Sequence, residues 1–142
     1  MWELLFTSSD ARTTRTAGNM PNIDIDIPGK PRPKARPRMV KGRIWTPSTK
    51  HEEAIAMFML PFQGRFKGAD NLAMLCWFYG ADKRADGDNL WKLIADAAVR
   101  ANVIDNDRFI VHGSFTLLAV GGPGNPFPDE PSTRVRIGGW DW

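Results

Sequence analysis

Cysteine is nearly absent from this chain: Cys76 is the only one in 142 residues, which excludes an internal disulfide and a cysteine-based zinc site. It lies inside "LAMLCWFYG", where a small buried core residue is expected rather than a nucleophile. Histidine is scarce as well; His51 and His112 have no second histidine at ligand spacing and are expected to be structural. No apolar run approaches the roughly 18 residues that a membrane helix needs. The opening "MWELLF" is too short for the apolar region of an export signal, carries Glu3 and lacks a basic lead-in, so a cytoplasmic setting without membrane contact is expected. Nothing in the residues read alone implies a protein partner. Acids are missing from residues 30–43, which hold seven of the 19 Lys and Arg; the remaining 12 face 16 acids elsewhere, so the net charge of +3 hides a local positive field.

What is present reads as a single domain. Residues 1–19 lose all pattern after the first six positions and suggest a flexible tail, leaving 20–142 as the folded unit. "NIDIDI" alternates Ile23, Ile25 and Ile27 with Asp24 and Asp26, the period of a half-buried strand. Prolines at 28, 31, 33 and 37 then forbid a helix and favour extended or polyproline backbone in the basic arm. A helix is expected over "STKHEEAIAMFML", with Thr49 and Glu52 at capping-box spacing and Ile55, Phe58, Met59 and Phe62 on its apolar face. Residues 71–79 are apolar on both alternating faces, which predicts a central strand covered on each side. A second helix should run from Asn89 to Ala101 with Leu90, Leu93, Ile94 and Ala97 inward. "FIVHGSFTLLAV" predicts another strand, and "TRVRIGGW" a short final edge strand after a Gly/Pro loop. The expected fold class is α/β: one domain, a mixed sheet of about four strands and two main helices.

The chemistry concentrates in "RADGDNLWK", residues 84–92. Two carboxylates about 4 Å apart repel by about 4 kcal/mol at an effective dielectric near 20, so Asp86 and Asp88 call for a cation. Asp88 suits the helix N-cap, and Lys92 lies one turn on along the same face. A second acidic group, Asp105 to Asp107, follows the helix; whether it reaches the first depends on how the chain turns back. Carboxylates without His or Cys suit a hard divalent cation, which binds substrate phosphate and activates water, while a nearby lysine stabilises transition-state charge. The same residues also fit an ordinary capped helix. Asp96 lies one turn beyond Lys92, where an ion pair would orient the lysine, and Trp91 is expected to pack.

"DGDNLWK", the later "DND" and the earlier "KPRPKARPRMVKGRIWTP" together resemble the RusA family of Holliday junction resolvases, over about residues 20–117 in order. The resemblance implies a homodimeric endodeoxyribonuclease, dependent on Mg²⁺ with Mn²⁺ as an alternative, that cuts four-way DNA junctions in recombination and repair. It implies that Asp86, Asp88 and Asp107 hold the metal, with Asp105 as a competitor, and that Lys92 is the essential lysine. In the arm, Lys34, Arg36 and Arg38 match the family's basic segment best and would contact DNA phosphates. Two other functions use the same residues: DNA binding without catalysis, and cleavage of other branched DNA.

Overall fold

The computed structural model describes residues 20–33, 38–40, 42–45 and 50–140, with 38–40 and 43–45 described by their backbone alone. The tail 1–19, Lys34, Arg36, the Arg38 side chain and Thr49 lie outside the described residues. Among the described residues eight strands and α-helices follow one another: β1 (Ile23–Pro28), β2 (Arg38–Val40), β3 (Arg43–Trp45), α1 (Lys50–Met59), β4 (Leu72–Tyr79), α2 (Gly87–Arg100), β5 (Ile110–Leu118) and β6 (Ser132–Gly139). Four strands form one sheet in the order β1-β6-β4-β5, so the expected α/β fold of four strands and two helices is the one observed. β6 runs antiparallel to both β1 and β4, whereas β5 pairs with β4 in parallel. β2 and β3 form a separate hairpin inside the basic arm, turning at Gly42, whose φ of 78° suits a residue without Cβ.

Alternation places the core. Ile23, Ile25 and Ile27 of β1, Val135 and Ile137 of β6, and Met74, Cys76 and Phe78 of β4 are buried on one sheet face. Ile55, Ala56 and Met59 of α1 and Leu90, Leu93, Ile94 and Ala97 of α2 join them in a single core cluster. Burial of each large side chain contributes about 1.5–3 kcal/mol, which is what fixes the helices onto the strands. The Cys76 thiol sits in that core, and burial pushes its pKa up, away from any nucleophilic role.

Three expectations change. β4 is central, but only one of its faces is fully covered: Ala73, Leu75 and Trp77 remain half-buried. The neighbouring strands explain this, because Asp24 and Asp26 of β1 meet Arg136 and Arg134 of β6 on that same face. Arg136 donates twice to Asp24, at 2.8 and 3.1 Å, and its guanidinium lies 5.9 Å from the centre of the Trp77 ring. β6 is not an edge strand but lies between β1 and β4, since its Arg residues find cross-strand acids rather than solvent. Phe58 is 45% exposed, so the inward face of α1 is carried by Ile55, Ala56 and Met59, with Phe62 half-buried beyond its end.

Candidate active site

α2 begins where β4 ends, after the short loop 80–86. Asp86 is extended, with φ −82° and ψ 112°, and its Oδ1 accepts the Asp88 N–H at 3.0 Å, so Asp86 is the N-cap. The expected cap, Asp88, lies inside the first turn instead, because the helix starts two residues earlier, at Gly87. That start needs glycine: a Cβ on Gly87 would stand 2.0 Å from Cε1 of Phe115 on β5. Asp88 therefore holds its charge in the first turn, where the helix macrodipole stabilises a carboxylate by about 0.3–1 kcal/mol. Its side chain is exposed and has no hydrogen-bond or ion-pair partner among the described residues. Lys92 follows at i+4, also exposed and unpaired among the described residues, with Cβ atoms about 5–6 Å apart as on any helix face. Trp91 packs, as expected: its Nε1 donates to the Met74 carbonyl at 3.1 Å and its ring covers Gly113.

The second acidic group lies elsewhere. Because β4 and β5 are parallel, the chain leaves one end of the sheet after Tyr79 and re-enters at the other end before Ile110. Asp107 opens a 3-10 turn, Asp107–Phe109, and lines a cleft with Glu52, Asp96, Val99 and Arg100 at the C-terminal end of α2. From Asp88 to Arg100 the helix rises about 18 Å. Asp105 is committed to the fold, since its Oδ2 accepts the Gly68 N–H at 2.7 Å, and Asn106 caps the turn by accepting the Arg108 N–H at 3.0 Å. Asp107 has no such bond among the described residues. The expected pair between Lys92 and Asp96 does not form; Asp96 faces the cleft of Asp107.

The basic arm leaves the sheet beside the acidic pair. β1 and β4 both run antiparallel to β6, so Pro28 and Tyr79 finish at the same end of the sheet. Lys30 Nζ lies 2.5 Å from Asp82 Oδ1, which ties the root of the arm to the loop carrying Asp86. This link was not singled out in the sequence, where only the charge run and a lone acid after the strand hinted at it. Arg32 and His51 border a cleft of about 290 Å³ whose floor includes Ile55, Phe78, Leu93 and Ile94. Burial, helped by the Arg32 charge, holds the His51 imidazole below its usual pKa. His112 is structural: its ring stacks on Trp140 with centroids 4.1 Å apart.

The donor chemistry of Asp86 and Asp88 fits a hard cation held by one or two carboxylates plus water and phosphate. Among the described residues, however, no three His, Cys, Asp or Glu side chains group closely enough to hold a metal ion. Among those residues, too, no helix is long and apolar enough to cross a membrane. Comparison with protein-family models and with curated proteins finds no match to this chain.

Proposed function

We propose that this protein is a Mg²⁺-dependent endodeoxyribonuclease acting on branched DNA, with four-way junctions as its substrate. The observation that carries the reading is the placement of Asp88 and Lys92, both exposed and unpartnered among the described residues, at the end of the sheet from which the basic arm departs. Supplied as cofactor, the divalent ion would neutralise the acidic pair, polarise the scissile phosphate and lower the pKa of bound water. The chain's own groups do the rest. Asp86 holds the first turn of α2 in place, Asp88 presents its carboxylate to the cation, and Lys92 stabilises negative charge growing on the phosphoryl oxygens. Lys34, Arg36 and Arg38 neutralise backbone phosphates and draw DNA toward Asp86 and Asp88. Paired cuts across a junction need two such sites, hence a two-fold homodimer. As Asp107 lies at the far end of α2, either the pair works with water and substrate phosphate alone or a second chain supplies the third carboxylate.

The distance of Asp107 also favours a second reading, DNA binding without cleavage, in which the acids serve only the fold. The two separate on synthetic four-way junctions and linear duplex, each with Mg²⁺, with Mn²⁺ and with chelator. Nicking of the junction that chelator abolishes is expected. Binding that persists while no strand is cut in either metal would leave only the binding reading.

A further inference from the structure

The sheet has two edges, and they are built differently. β1, at one edge, carries Asp24 and Asp26, ends in Pro28 and continues into the proline-rich arm. Charge and proline are the usual means of keeping an exposed strand from pairing with another chain. β5, at the opposite edge, has none of them: "IVHGSFTLL" contains no Lys, Arg, Asp, Glu or Pro. Its inner edge pairs with β4, and among the described residues no strand pairs with its outer edge, so alternate N–H and C=O groups point outward unmatched. Val111, Phe115 and Leu117 are 42%, 44% and 44% exposed, unusual for large apolar side chains gathered on one face of one strand.

We propose that the outer edge of β5 joins two copies of this chain, strand against antiparallel strand, about a two-fold axis near Ser114. The unmatched backbone specifies a strand as the occupant, and the side-chain pattern specifies this strand. With Ser114 at the axis, residues equally distant from it face each other. Val111 then lies opposite Leu117 of the other copy, and Phe115, packed over Gly87 of its own chain, lies opposite Gly113, which its own Trp91 covers. Every other opposed pair is uncharged, so no like charges meet across the axis. The inference deepens the dimer required by the nuclease reading, but the contact itself is measured without DNA.

Sedimentation equilibrium in the tens-of-micromolar range tests it. Wild type is expected at twice the chain mass of 15.9 kDa, and Leu117→Lys at the mass of one chain, with its dimer dissociation constant raised at least tenfold. Leu117 is exposed enough that circular dichroism and the unfolding midpoint should stay unchanged. Ser114→Cys gives an independent readout. Cys76 is buried with its thiol pKa pushed up, so a disulfide-linked dimer under mild oxidation reports the new cysteine alone. A monomeric wild type, or a dimer that survives Leu117→Lys and gives no cross-link at residue 114, overturns the proposal. A monomer that still cuts junctions would refute this interface and spare the nuclease; a dimer that never cuts would do the reverse.

Discussion

At the C-terminal end of α2 Glu52 and Glu53 meet a cation that the fold provides, whereas at the N-terminal end Asp88 meets none among the described residues. Arg100 Nε donates to Glu52 Oε2 at 2.7 Å and Nη1 to Glu53 Oε1 at 3.2 Å, joining α2 to α1. Glu52 is buried, and Arg100 sets a cation against it. Asp88 stays solvated without a partner, one turn from a lysine equally free among the described residues. Acids with a built-in cation hold the fold together; an acid without one is open to a cation from outside.

Breaking the N-terminal end should give the largest effect. Asp88→Asn is expected to lower junction cleavage by about 100-fold or more, and Lys92→Ala by about 100-fold, typical for losing one group that stabilises transition-state charge. Both should leave the unfolding midpoint nearly unchanged, which single-turnover kinetics and denaturant titration together would check. Changing the other end should reverse the pattern. Glu52→Gln is expected to destabilise the domain by about 1–2 kcal/mol, since it removes the charge from a buried hydrogen bond to Arg100, while cleavage per folded molecule stays close to wild type. A large loss of cleavage in Glu52→Gln at full folding would erase the contrast.

The smallest effect belongs to the open sheet face. The Arg136 hydrogen bond chiefly, and the charges of Arg136 and Arg134 after it, hold the Asp24 carboxyl below its usual pKa, although partial burial opposes them. A carboxyl depressed in the folded state adds stability above its unfolded pKa of about 3.9, and that stability is lost as the pH falls through the lower folded value. Both side chains are more than a third exposed, so the pair contributes only about 0.5 kcal/mol. Asp24→Asn should therefore differ from wild type by that amount at pH 7 and converge with it at strongly acid pH in urea unfolding.

Local pattern was legible where one period decides the answer. The alternation of Ile23, Ile25 and Ile27 and the spacing of Leu90, Leu93, Ile94 and Ala97 each name a buried face, and the structure buries those residues. Position in the sheet was not legible, because Arg134 and Arg136 look solvent-facing until Asp24 and Asp26 are known to lie opposite. The cap was misplaced by two residues because Asp86 and Asp88 have equal cap propensity, and the choice fell to Gly87 beneath the Phe115 ring. Asp88 and Lys92 were readable together because one helix turn separates them. Asp107 was not, since its place depends on β4 and β5 being parallel, a fact about pairing that no single segment carries.

The central claim is that Asp88 acts on DNA through a cation rather than on the fold. Junction binding and Mg²⁺-dependent cleavage measured side by side on wild type and Asp88→Asn test it most directly. Cleavage should fall by about 100-fold or more while junction affinity stays within a few fold of wild type or rises, as a repelling charge is removed. Cleavage by Asp88→Asn at the wild-type rate would contradict the account.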